Sequence, residues 1–413
     1  MLTLITLLLL PSSDSTTSWV RFRGPNGSGQ ATGMVWPAAW NEEAILWKTA
    51  IPGLGYGSPI VLDGSVYLPS AEKSGSERLV LSLKTSDGSI NWKRRVTDQS
   101  KAHTHVKNSL ASGTATSDGQ RLYLCQWDGK GVSLSAFACS DGKPVWSLPL
   151  GPHQSQHGAG YSPIVYQNKV YVSYDSDNHA EAFCVDASTG KKLWSKERQQ
   201  HRASYSTPLI HEGPAGDEII IASTGGITAY DPSTGDTRWS KQWPFSNKPL
   251  RVVSSPLLCA NHVMLVSSGD GGGDRDTIAL KLPSGDTTGT REASLLWQKT
   301  RDVPYVTCLL EQQGHLFFVA DKGVASCLDL NTGKERWSQR LSGNFTASPI
   351  LVDGKIIVCS EEGEVTVFQA NPQKFQLVGK LKLGETILAS PAVAEGKLFI
   401  RGQTHLFCIG GRR

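Results

Sequence analysis

Six of the ten histidines fall between residues 103 and 201: His103, His105, His153, His157, His179 and His201. Interleaved with them are Lys107, Asn108, Asp175, Asp177, Asn178 and Arg202, with Arg251 a little further on. Imidazole beside carboxylate is the chemistry of proton transfer and metal ligation, and Arg or Lys beside it favours an anion. A second polar run, Asp270 to Asp276 with Arg275 inside it, clusters carboxylates as a Ca²⁺ loop does. It lacks the D-x-D-x-D-G order and reads as an exposed hairpin, so no metal site is assigned. The sequence contains no G-x-S-x-G or H-E-x-x-H, and the glycines at 269–273 precede no helix that would cradle phosphate. No catalytic residue is assigned either. His105, Asn108, His157, Asp175, Asp177, His201, Arg202 and Arg251 are expected to line a ligand- or partner-binding surface.

What brings such scattered residues together is an internal repeat. Its first part is Ser/Thr-Pro, a short apolar stretch, a Gly or Asn turn and an alternating apolar strand. It occurs at Ser58-Pro59, Ser162-Pro163, Thr207-Pro208, Ser255-Pro256, Ser348-Pro349 and Ser390-Pro391. Degenerate copies are read at Thr114-Ala115 and Thr307-Cys308, giving eight starts 41 to 56 residues apart. The second part is a strand, a turn, and a Trp four residues after the turn glycine: Gly88 to Trp92, Gly142 to Trp146, Gly190 to Trp194, Gly235 to Trp239, Gly333 to Trp337. The fifth copy carries an insertion between Ser284-Gly285 and Trp297, and the seventh has Lys380 where Trp is expected. The Asp-Gly and Thr-Gly turns supply the positive φ that tight hairpins need.

Each unit therefore holds four short strands, and a four-stranded antiparallel sheet repeated every ~47 residues is a propeller blade. The fold class is all-β, an eight-bladed β-propeller over residues 44–410, preceded by an extension at 19–43. The eighth unit stops without a Trp strand, while Ala44 to Lys48 is an unpaired strand containing Trp47. Pairing the two closes the ring and leaves no open edge. In such a blade the crossover into the first strand and the loop between strands two and three share one face. That face carries the histidine-rich set, whereas the turns of the opposite face read as repetitive.

The chain has 413 residues with 42 Gly, 21 Pro and 12 Trp, a composition that excludes a helical bundle and wholesale disorder. Net charge is +4, from 41 basic and 37 acidic residues interspersed, which argues against nucleic acid as a partner. Leu2 to Leu10 is too short to span a bilayer and reads as the core of a secretory signal peptide ending near residue 18. Export to the periplasm or medium is expected, without a lipid anchor, because no Cys precedes Cys125. No transmembrane segment is read. Cys184, Cys327 and Cys408 share one repeat position with Ser82, Ala136, Ala229 and Ala279, so these thiols are expected to be small buried residues rather than disulfides.

With Cys184-Val185-Asp186 through Gly190 and Trp194, Ala229-Tyr230-Asp231 through Trp239, and Cys327-Leu328-Asp329 through Trp337 in view, the chain resembles the PQQ-like (pyrroloquinoline quinone) repeat propellers. That superfamily includes quinoprotein alcohol dehydrogenases and the outer-membrane assembly factor BamB. The resemblance implies that Trp47, Trp92, Trp146, Trp194, Trp239, Trp297 and Trp337 dock against neighbouring blades. The opening Trp19 to Gly27, Asn108 to Ser112 and Tyr205 to Pro208 are similar to a group of exported bacterial propellers without an established activity.

Two functions are weighed. The first is a monomeric, non-catalytic envelope scaffold that binds protein, peptide or glycan and needs no cofactor. The alternative implied by the resemblance is a quinoprotein dehydrogenase, with Asp175 or Asp177 as base or Ca²⁺ ligand and Arg202 or Arg251 on the quinone carboxylates. The absence of an adjacent Cys pair counts against that enzyme subtype.

Overall fold

The computed structural model describes residues 16–72, 77–98, 104–199, 201–213, 215–244, 249–283 and 292–412. Residues 1–15 of the proposed signal segment, His103 and the Ser284-Gly285 turn lie outside the described residues.

Eight antiparallel sheets follow one another along the chain. Blade one is built from Ile60–Leu62, Ser65–Ala71, Glu77–Lys84 and Ile90–Asp98, paired in that order. The first strands are short, apolar and buried. The fourth are amphipathic, as in Glu335–Arg340, and form the outer rim. Blade eight pairs Ala392–Ala394, Lys397–Arg401 and His405–Ile409 with the N-terminal strand Ile45–Ala50, so the ring closes as expected. Trp47 there faces Cys408, the register that sets Trp92 against Ser82, Trp194 against Cys184 and Trp337 against Cys327. A residue facing the indole across the sheet has space only for a small side chain. All eight cysteines are free, and seven are buried.

A second ring of bonds runs round the axis. The backbone N–H of Ser58 donates to Thr114 Oγ1, Thr114 to Ser162 Oγ, Thr207 to Ser255 Oγ, Ser348 to Ser390 Oγ, and Ser390 back to Ser58 Oγ, at 2.9–3.1 Å. In the sixth blade Cys308 holds this place: it accepts from Ser255 N–H through Sγ and donates to Ser348 Oγ. The sixth unit therefore starts at Cys308-Leu309, one residue later than the Thr307-Cys308 reading. The repeat needs a small acceptor there, and the thiol replaces the hydroxyl.

Between blades the contact is indole on glycine. Trp146 lies where a Cβ on Gly190 would come within 2.6 Å, and Trp92, Trp194 and Trp297 cover Gly142, Gly235 and Gly333 in the same way. Each indole N–H donates to a carbonyl of the next blade's turn: Trp47 to Thr85, Trp92 to Cys139, Trp146 to Ala187, Trp194 to Pro232, Trp297 to Leu330 and Trp337 to Asn371. Trp239 departs from this rule and donates to Glu218 within its own blade. In the seventh blade the residue at the Trp position is Gly379, opposite Val367, and not Lys380. Trp40 of the N-terminal extension lies over it, within 2.4 Å of where a Cβ would stand. The indole missing from the repeat is supplied from outside it.

The extension also fills the axis at the turn end of the first strands. Trp19 is fully buried and exchanges backbone bonds with Val61 of blade one. Val20 O accepts from Ser117 of blade two. Arg21 donates to Pro208 O in blade four at 2.6 Å, and Arg23 to Leu309 O and Pro349 O in blades six and seven, both at 2.7 Å. Gln30–Ala31 then pairs in parallel with Ile350–Val352. One segment ties five blades together.

Candidate binding face at the axial mouth

Crossover loops and second-to-third-strand loops meet at the opposite end of the axis, because a blade that begins there returns there after two strands. His157, on the crossover into blade three, and Arg251, on the crossover into blade five, meet here: Arg251 Nη1 donates to His157 Nε2 at 3.1 Å. His105, from the crossover into blade two, sets its ring at 4.5 Å edge-on to His157. Asn108 anchors the His157 loop by donating to the His157 and Ala159 carbonyls. Burial, reinforced by the Arg251 guanidinium and His105, pushes the His157 pKa down to about 4. It is therefore a neutral acceptor at physiological pH. His153 behind it is buried among Trp127, Tyr161 and Tyr174, with its pKa likewise about 4 because of burial.

The other sequence-chosen residues are less uniform. Asp177 Oδ1 accepts the Ala203 N–H at 2.8 Å and stands 3.9 Å from Arg251 Nη2. Arg202 is half-buried and His201 is exposed. Asp175 is not on the surface at all: it is 1% exposed, accepts from Arg198 at 3.1–3.2 Å and from Ser173. Burial raises its pKa against the pull of that guanidinium. The face therefore gathers His105, Asn108, His157, Asp177 and Arg251, with Arg202 and His201 at its edge and Asp175 beneath it.

Sequence reasoning passed over the aromatic part. Tyr205 and Tyr305 stand within electrostatic reach of Arg251, and Tyr205 is bonded to Ser155 at 2.6 Å. Lys107 crosses the mouth to Glu361 of blade seven. The Asp270–Asp276 hairpin offers no open cluster: Asp270 and Asp276 are buried, and Arg275 turns to Asp321 at 3.2 Å. Nor is the opposite face merely repetitive. There Glu218 and His211, both buried, are bonded at 3.0 Å, and His211 reaches His262 of the next blade at 3.1 Å. Only a spacing of 51 residues links those histidines, and nothing in the primary repeat marks it.

Among the described residues no three His, Cys, Asp or Glu side chains converge to hold a metal ion. Ser155 is bonded to the Tyr205 phenol, so the described part of the mouth presents cations, carboxylates, a neutral imidazole and aromatic rings.

The family described as outer membrane protein assembly factor BamB matches residues 37–136, 100–303 and 291–374. The chain belongs to that family. A BamB of Shewanella oneidensis is 22% identical over 364 residues, covering 86% of this chain and 82% of the relative. A quinohemoprotein alcohol dehydrogenase of Pseudomonas putida is 24% identical over 131 residues, only 30% of this chain and 18% of the relative. The crystal structure of BamB from Moraxella catarrhalis superposes with a TM-score of 0.59 at 16% identity, over 88% of this chain and 97% of that one. This last likeness is one of fold.

Proposed function

We propose that this protein is an envelope scaffold that binds a protein partner through the axial mouth on the histidine-bearing face, exported as its N-terminal sequence implies. The carrying observation is the Arg251–His157–His105 contact, which draws loops of three blades into one surface. A rigid closed ring costs little entropy when its loops bind, since they are already positioned. The family relationship supports the reading, because the full-length relatives are assembly factors by name. No helix of the described residues is long and apolar enough to cross a membrane.

The quinoprotein reading is the weaker one. Asp175 is buried on Arg198, Asp177 caps the Ala203 N–H, and among the described residues no three ligand side chains converge, which supports that reading less well. Asp175, engaged by Arg198, does not fit a Ca²⁺ ligand of a PQQ site.

The test is capture of a partner from envelope extract on immobilised protein, compared with a His157→Ala/Arg202→Ala double variant. Recovery that is abolished in the variant supports the reading. Recovery unchanged moves the site elsewhere, and quinone absorbance with dye-linked alcohol oxidation on adding PQQ and Ca²⁺ would replace it.

A further inference from the structure

We infer that the axial mouth recognises a carboxylate of its polypeptide partner through Arg251, with Tyr205, Tyr305 and Arg202 in its electrostatic surroundings. This rests on the scaffold reading and names the chemistry of the contact.

The argument begins with how the chain treats its other buried arginines. Arg21 donates to Pro208 O at 2.6 Å, Arg23 to Pro349 O at 2.7 Å, and Arg78 to Trp127 O at 3.1 Å. Arg401 reaches Gly57 O at 3.3 Å, and Arg198 holds both oxygens of Asp175. A buried guanidinium is costly unless oxygen acceptors replace its water. Arg251 alone among these has no side-chain hydrogen bond to an oxygen among the described residues. Its side chain is 6% exposed, its Nη1 is spent on an imidazole nitrogen, and its Nε, like those of Arg21 and Arg401, is buried with no partner. Asp177, which accepts the Ala203 N–H, stands 3.9 Å from Nη2.

With Nη1 on His157, the Nε–Nη2 edge has no oxygen at hydrogen-bond distance, and Nε is buried, so a partner's carboxylate reaches the edge from the Nη2 side. That edge grips a carboxylate with two parallel bonds. His157 holds the guanidinium in place without adding charge, because it is a neutral acceptor. Arg202 adds positive potential: its charge is felt at both His157 and Tyr305. The same mouth already seats one carboxylate on a cation, Glu361 on Lys107 at 2.6 Å. A desolvated arginine with tyrosines nearby is the composition of a binding hot spot.

The test titrates end-capped octaglutamate into the purified full-length protein at low salt by calorimetry, with octaglutamine and oligogalacturonate as parallel probes. Saturable binding of octaglutamate, absent with octaglutamine, is expected. It should weaken about tenfold or more in Arg251→Gln and severalfold in Arg202→Gln, which changes a half-buried side chain and keeps the fold. Binding unchanged in both variants, or no octaglutamate binding, overturns the inference. If Arg251→Gln loses its near-UV circular dichroism, Arg202→Gln decides alone, and undiminished binding there overturns it. Tighter binding of oligogalacturonate than of octaglutamate overturns the polypeptide assignment. Partner capture that survives both variants would leave the scaffold standing and remove this contact. Octaglutamate binding without any captured partner would do the reverse.

Discussion

The backbone N–H of Ser390 donates to the hydroxyl of Ser58 across 3.1 Å, joining the last blade to the first over 332 residues of chain. The bond is the same one that links neighbouring blades elsewhere, so the ring closes by repeating its own rule at the seam. It works alongside the strand pairing of Ile45–Ala50 with His405–Ile409.

Ser58→Ala removes the acceptor and leaves the Ser390 N–H buried and unsatisfied. A loss of about 1–2 kcal/mol is expected in urea unfolding. A Ser→Ala change at a solvent-exposed turn such as Ser89 should cost little in the same assay.

Gly190 and Gly314 have nearly equal φ, 74° and 78°, but different surroundings. A Cβ at Gly190 runs into Trp146, whereas Gly314 has open space around it. Gly314→Ala is expected to lose about 1–2 kcal/mol from backbone strain alone. Gly190→Ala should lose about 2–3 kcal/mol more, because the docked indole must move. Equal losses would mean the indole contact contributes nothing.

Asp276 is buried, accepts only from Gln298, and leaves Oδ1 without a partner; burial pushes its pKa up to about 6. A carboxyl raised in the folded state stabilises below its unfolded pKa, near 4, and that contribution is lost as pH rises through about 6. Asp276→Asn should therefore raise stability at pH 7.5, on the order of 1–2 kcal/mol, and give a smaller gain at pH 5. Thermal melts of both proteins at the two pH values check the sign.

Burial pushes the thiols of Cys184, Cys327, Cys359 and Cys408 up to about 12. They are expected to resist oxidation and alkylation even in an oxidising compartment. A thiol-reactive dye should count eight thiols in denaturant and at most one, Cys139, in native buffer. Fewer than eight in denaturant would reveal a disulfide.

Much of the architecture was legible in the primary structure because a propeller writes itself as a period. The Thr-Gly turn, the Trp four residues on and the small residue facing it recur wherever the same packing recurs. Even the closing strand could be recognised, by its Trp47. The two misplaced repeat positions, the sixth start at Thr307 and the seventh Trp position at Lys380, failed for one reason: the repeat's requirement was met by an unlike residue. At Cys308 a thiol accepts where a hydroxyl was sought, and at Gly379 an indole arrives from Trp40 in the extension.

The candidate site was legible only as a region. That His105, His157 and Arg251 share a face follows from strand count, since each lies on a crossover loop and every crossover returns to the same end. Which of them touch does not follow, because contact across the axis depends on the ring's curvature and on loop conformations that no local pattern encodes. Asp175 and Asp177, two residues apart, show the limit: one side chain turns into the interior onto Arg198 and the other caps Ala203 at the mouth. The sequence by itself determined a closed eight-bladed ring, its seams and its polar face, because those arise from short-range turn chemistry and period. Only the tertiary structure decided that Trp19 to Ala31 fills one end of the axis and that the Arg251 side chain, at the other, has no hydrogen bond to an oxygen among the described residues. Both depend on groups brought together from blades far apart in the chain.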